Sequence, residues 1–133
     1  MSRGARKYVI DASAWVEYLI GSRAGEKVRS VLDAENSEIY TCAVTVAEVV
    51  SKTAREGQDF EVAYDVLTSN SQVVCVDEGI SKDAGLLHSK MRETEKEFGL
   101  ADAYLLAIAR KLGAMVLTGD LHFKGVREAV FIK

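Results

Sequence analysis

Apolar residues recur along this chain in two rhythms. Short runs with no polar alternation fall at 7–10, 38–41, 72–76, 115–117 and 129–132. Such runs read as strands buried on both faces. Between them the apolar positions return at helical spacing, which predicts helices over 14–20, 25–34, 44–55, 60–68, 80–97 and 99–110. In the second of these, Val28, Val31 and Leu32 share one face and charges occupy the other. The punctuation agrees: Ser13 is placed to cap the first helix and Gly21-Ser22 to break it. Thr45 or a near neighbour opens the third, Gly57 stops it, and Asp59 caps the fourth. Leu121-His-Phe123 reads as a turn or short helix. Strands alternating with helices imply a parallel sheet of four to five short strands, covered on both faces.

One helix departs from the amphipathic pattern. Gly99-Leu-Ala-Asp102-Ala-Tyr-Leu-Leu-Ala-Ile-Ala-Arg110 is apolar on every side except at Asp102, in its first turn. A helix apolar all round lies in a core. A carboxylate entering that core must be paired, protonated or bound to a metal.

The length of 133 residues predicts a single domain spanning 1–133. Its hydrophobic fraction of 48% is that of an ordinary globular protein, which excludes disordered and fibrous classes. No apolar run approaches bilayer length, and Tyr8-Val-Ile10 is too short for a signal sequence. The expectation is a cytoplasmic protein with no membrane contact and a frayed basic arm over 1–6. Cys42 and Cys75 are isolated, so neither zinc nor a redox pair is suggested, and both are expected as small buried apolar residues. The net charge of −3 lacks the basic excess of most nucleic-acid binders. Acids gathered in one pocket and neutralised by a divalent cation would leave the remaining surface more basic than that sum.

Four acids do gather. Ligands of an open parallel sheet sit beyond the carboxyl ends of its strands. Asp11 follows the first strand, and Asp120 lies just past the fourth. Asp102 starts the helix leading into the fourth strand, and Glu48 lies early in the helix after the second. Taken singly, the three aspartates also fit helix-start or turn positions, and Glu48 a solvated helix position. Taken together they converge on one rim. Magnesium suits such a set, because it takes oxygen ligands and needs only one or two direct carboxylates. Without a cation the acids would repel and some of their pKa values would rise. Hydrolysis of a phosphodiester is chemistry that such a site supports.

Val9-Ile-Asp11-Ala-Ser13, Thr45-Val-Ala-Glu48-Val, the Leu-Ala-Asp102-Ala helix and Leu117-Thr-Gly-Asp120-Leu-His-Phe123 together resemble a PIN domain of the VapC toxin type, over almost the whole chain. The resemblance implies a three-layer α/β/α fold and a Mg²⁺- or Mn²⁺-dependent endoribonuclease leaving 5′-phosphate products. It implies Asp11 and Asp102 as direct metal ligands, with Glu48 and Asp120 completing the metal pocket. Ser13 and Thr118 match hydroxyls that steady it. It also implies a homodimer and a VapB-type antitoxin whose C-terminal segment covers the groove and places Arg or Lys among the acids. A housekeeping RNA-processing nuclease shares the same motifs.

Readings of other classes stay open at this point. A receiver-type signalling domain would use Asp77, at the end of the third strand, as phosphoacceptor, but needs paired acids after the first strand, where only Asp11 stands. A non-catalytic binding module would not need all four acids. His122 reads as a packing or capping residue, and His88 as exposed. Lys52, Arg55, Lys82, Lys90, Arg92, Lys96, Arg110, Lys111, Lys124 and Arg127 form the pool for RNA backbone contacts, with Lys52 and Arg55 favoured because they follow Glu48 on one helix. Trp15, Tyr18, Phe60 and Tyr64 are expected in core or dimer packing.

Overall fold

The computed structural model describes residues 4–133. Its strands are β1 (Arg6–Ile10), β2 (Ser37–Cys42), β3 (Gln72–Val74), β4 (Met115–Thr118) and β5 (Ala129–Phe131). Its helices are α1 (Ala12–Ile20), α2 (Arg23–Asp33), α3 (Ala43–Arg55), α4 (Phe60–Asn70), α5 (Glu78–Met91) and α6 (Leu100–Leu112), with a 3₁₀ turn at Leu121–Phe123. The five strands pair in parallel throughout, in the order β3-β2-β1-β4-β5.

The unalternating strands are explained by what covers them. Val9 and Val116 lie in one core with α5, α6 and Phe123. Their sequence neighbours Ile10 and Leu117 lie in the other, with Trp15, Val28, Val49 and Leu67 of α1 to α4. Successive strand residues point to opposite faces, and both faces are sealed, which is the three-layer α/β/α arrangement. Within the second core, Trp15 Nε1 donates to Thr41 Oγ1 at 3.1 Å, which gives that indole the partner its burial requires.

The topology sets the site. The chain runs outward from β1 through β2 to β3, then crosses back to place β4 beside β1 on the other side. The strand order therefore reverses between β1 and β4, where clefts form in doubly wound sheets.

Several local expectations are corrected. The helix expected over 80–97 begins at Glu78 and ends at Met91. Residues 92–97 contain no apolar side chain to bury, and a helix without an apolar face has little tertiary stabilisation. The chain instead makes tight turns, Glu93 N to Lys90 O and Thr94 N to Met91 O, which return Phe98 to the core. The cap of α1 is Asp11, not Ser13. α3 opens at Ala43, a near neighbour of Thr45, with Cys42 in the cap position, and Thr45 is buried within the first turn with a hydroxyl that finds no partner among the described residues. Cys42 is buried as expected but Cys75 is exposed, because the edge strand ends one residue earlier. Phe60 and Tyr64 are exposed and take no part in the core, unlike Trp15. Arg6 already belongs to β1, and the rest of the expected basic arm lies partly outside the described residues.

Candidate active site

Asp11 leaves β1 at the point where the strand order reverses, and its backbone N–H donates to Leu117 O of β4 at 2.9 Å. Its carboxyl is buried and fully engaged on one oxygen. Oδ2 accepts from Thr118 Oγ1 at 2.7 Å and from Ser13 Oγ at 3.0 Å. Among the described residues Oδ1 accepts only the Ala12 N–H, at 2.7 Å, and keeps a lone pair. The two hydroxyls are themselves fixed: Thr118 Oγ1 accepts from Asp120 N at 2.9 Å, and Ser13 Oγ from Gly119 N at 3.0 Å. Each hydroxyl gives its one proton to Asp11, so their mutual 3.4 Å approach is proximity alone. The turn after β4 is thereby stitched to the start of α1 through a single carboxylate oxygen.

Asp102 reaches the same rim from α6. Its Oδ2 accepts the Gly99 N–H at 2.7 Å, the backward half of a capping box, with glycine lacking a side chain to return the bond. Asp120 caps the 3₁₀ turn, its Oδ1 accepting from His122 N at 2.9 Å. His122 Nδ1 stands 3.1 Å from Asp120 Oδ1 and 3.6 Å from Asp102 Oδ2. Asp102, Asp120 and His122 thus present three ligand atoms within 4.8 Å of one another. Glu48, on the first half of α3, is exposed and accepts no hydrogen bond among the described residues. It lines a shallow cleft of about 500 Å³ with Ala12, Val44, Ser51, Lys52 and Arg55, and it stands near enough to Asp11 and Asp102 to feel their charge.

The four acids act on one another. Burial, and then the nearby charge of Asp102, push Asp11 up to about 6 against the pull of its hydroxyl donors. Glu48 is pushed up to about 7 by loss of solvent around its carboxyl and by Asp11 and Asp102. Asp102 is raised by desolvation and by Asp120, with the Gly99 N–H and His122 opposing. Among the described residues no Lys or Arg pairs with any of the four. Carboxylates gathered at one rim without a lysine or arginine among them are a set of oxygen donors suited to a cation. The donor set fits a hard divalent ion.

His122 departs from the packing role expected for it: its ring is half-exposed, and the buried neighbour is Phe123. The sequence signal was its place two residues after Asp120, at the far end of a tight turn. Asp77, the residue a receiver would phosphorylate, caps α5 through Ile80 N at 2.8 Å, beyond the edge strand β3 and away from the reversal point. Lys52 is drawn to Glu56 at 2.9 Å and Arg110 to Glu128 at 3.0 Å. A concavity of about 800 Å³ between α5 and α6 is lined by Lys82, Lys90, Arg110 and Lys111 and holds none of the four acids.

An α/β/α sheet with acids at its reversal point is the architecture of a PIN domain. The PIN-domain family model matches residues 8–129, and the chain belongs to that family. No curated protein is a significant sequence match. Among solved structures, a toxin–antitoxin complex from Klebsiella pneumoniae is 18% identical, with a TM-score of 0.70 over 95% of this chain and 98% of that one. VapBC2 from Rickettsia felis, bound to a DNA fragment from its promoter, is 14% identical with a TM-score of 0.72 over 94% and 96% of the two chains. The sarcin–ricin loop cleaving toxin VapC20 of Mycobacterium tuberculosis is 18% identical with a TM-score of 0.72 over 91% and 95%. At such identities the likeness is one of fold.

Proposed function

We propose that this chain is a single-domain, divalent-cation-dependent endoribonuclease that hydrolyses RNA phosphodiester bonds, and that it is the toxin of a VapBC-type pair. The observation that carries the reading is the gathering of Asp11, Asp102 and Asp120, with Glu48 nearby, at the β1/β4 reversal, with no lysine or arginine paired to them among the described residues. The structural neighbours named as toxin–antitoxin assemblies, and one named as cleaving an RNA loop, support the toxin role and the substrate class.

Mg²⁺ or Mn²⁺ would be held by Asp11 and Asp102, with Glu48 and Asp120 around them. When bound, such an ion supplies Lewis acidity toward a phosphodiester and lowers the pKa of water. The protein's own part is positioning. Ser13 and Thr118 hold Asp11 Oδ2, so that Oδ1 keeps its free lone pair turned away from them. The Gly99 N–H holds Asp102 in the same way. Among the described residues Glu48 carries no such bond, so its carboxyl would be free to turn toward the cation or toward water bound to it.

The partners follow from the same reading: an RNA substrate, a VapB-type antitoxin that restrains the cluster, and a second copy of this chain, in the cytoplasm. Among the described residues no helix is long and apolar enough to cross a membrane. The test is cleavage of a structured RNA panel with Mg²⁺, Mn²⁺ or chelator, by the parent chain, Asp11→Asn and Asp102→Asn. Cleavage should need the cation and fail in both variants. Full cation-dependent activity in either variant would remove that residue from the site.

A further inference from the structure

The ring of His122 stands against two of the four acids and, in the absence of a cation, offsets part of the charge of Asp102. Its cap bond to Asp120 comes from the backbone N–H and would be made by any residue at that position. Burial does not explain the ring's place either, since 38% of the side chain is exposed. The Asp120 cap and the fully buried Phe123 pin the backbone on either side, and the ring itself turns Nδ1 toward the two carboxylates.

We propose that His122 Nδ1 is a direct ligand, together with Asp102 and Asp120, of the divalent cation this site would hold, and that this nitrogen makes the site favour Mn²⁺ over Mg²⁺. The inference rests on the metal-site reading above. Its first support is spacing. In an octahedral site with bonds of about 2.1 Å, neighbouring donor atoms lie about 3.0 Å apart. Nδ1 is 3.1 Å from Asp120 Oδ1 and 3.6 Å from Asp102 Oδ2, both near that separation, and one donor atom from each of the three residues lies within 4.8 Å of the others. The second is capacity. Asp120 Oδ1 has accepted one backbone N–H and Asp102 Oδ2 another, and each oxygen keeps a second lone pair. The third is ligand chemistry. Carboxylate and water suit magnesium and manganese alike, so they do not separate the two, whereas an imidazole nitrogen is a ligand for first-row transition metals and not for hard magnesium. Asp11 and Glu48 offer only oxygen, so selectivity would reside on the α6 side of the cluster.

The experiment reads the metal's ligands directly. Mn²⁺ is added to the intact protein and its pulsed electron paramagnetic resonance recorded. A directly bound ¹⁴N should modulate the echo. The pattern should change to that of ¹⁵N when the parent protein is grown on ¹⁵N-histidine, a comparison that needs no altered fold. His122→Asn should abolish it and His88→Asn should not. In competition, the Mg²⁺ needed to displace Mn²⁺ should fall about tenfold in His122→Asn. Mn²⁺ bound without nitrogen coupling would overturn the role given to His122 and leave the carboxylate site standing. Absence of Mn²⁺ binding, or binding undiminished in Asp102→Asn, would overturn the metal-site reading and this inference with it.

Discussion

Phe98 and Phe123 meet edge to face, with ring centroids 5.5 Å apart and planes at 71°. Both rings are fully buried. Phe98 immediately precedes Gly99, whose N–H holds Asp102, and Phe123 immediately follows His122, whose N–H holds Asp120. One aromatic contact therefore sets the distance between the two loops that bring these acids together. Phe123→Ala should cost about 3–5 kcal/mol of stability, as large-to-small core changes do. Leu67→Ala, in the opposite core, should cost a comparable 2–5 kcal/mol. Cation affinity and cleavage, measured per folded molecule by calorimetry and RNA assay, should fall in the first and hold in the second. Equal losses would mean that the aromatic pair stabilises the fold without positioning the site.

The crowded acids make stability depend on pH and cation together. Asp11, raised to about 6, and Glu48, raised to about 7, keep protons in the folded state at pH values where the unfolded chain has lost them. Unfolding then releases protons, so the stability of the cation-free protein falls as pH rises from about 4 to about 7 through these two groups. For buried Asp11 this amounts to about 3 kcal/mol. A bound cation needs the deprotonated acids and adds stability by mass action. Thermal melts should show Mg²⁺ or Mn²⁺ raising the Tm little at pH 5 and most at pH 8. A cation effect constant over that range would contradict the pairing of metal with these carboxylates.

Glu48 separates function from folding more cleanly than the aspartates do. It is exposed and accepts no hydrogen bond among the described residues, whereas Asp11 and Asp102 each hold backbone in place. Glu48→Gln should therefore leave stability within about 0.5 kcal/mol at acid pH. Above pH 7 it should be slightly more stable than the parent, since one repelling charge is gone. Cleavage should drop by roughly a hundredfold or more if Glu48 handles a proton. Side-by-side melts and RNA assays at pH 6 and 8 decide it.

What could be read from the chain alone follows from how local each signal is. Asp11, Asp102 and Asp120 were legible because each sits at the end of a strand or the first turn of a helix, where topology alone sends it to the carboxyl rim. Glu48 was legible only as the fourth member of that set. The reversal between β1 and β4 was not, because nothing in an apolar strand names its neighbour. The end of α5 was missed because 92–97 carries good helix formers and fails only for want of an apolar residue to bury. Ser13 was read as a cap from its type and place. Its hydroxyl belongs to a contact with Gly119, 106 residues away, which no window of sequence contains.

That distant contact has a partner whose removal tests the whole arrangement. Thr118 is fully buried, and its hydroxyl donates to Asp11 Oδ2 while accepting the Asp120 N–H. Thr118→Val keeps the shape and deletes both bonds. The unpaired Asp120 N–H and the weakened carboxylate should together cost about 1–3 kcal/mol. Because the lost donor favoured the charged form, the Asp11 carboxyl should move further up from about 6. Cation binding and cleavage should then need a higher pH, seen as a rightward shift of the acid limb of the pH–activity profile. Thr118→Ser keeps both bonds and should restore the parent profile, even if the lost methyl lowers the Tm. A destabilised valine variant with an unshifted profile would reduce Thr118 to a staple between β4 and α1, with no hand in tuning Asp11.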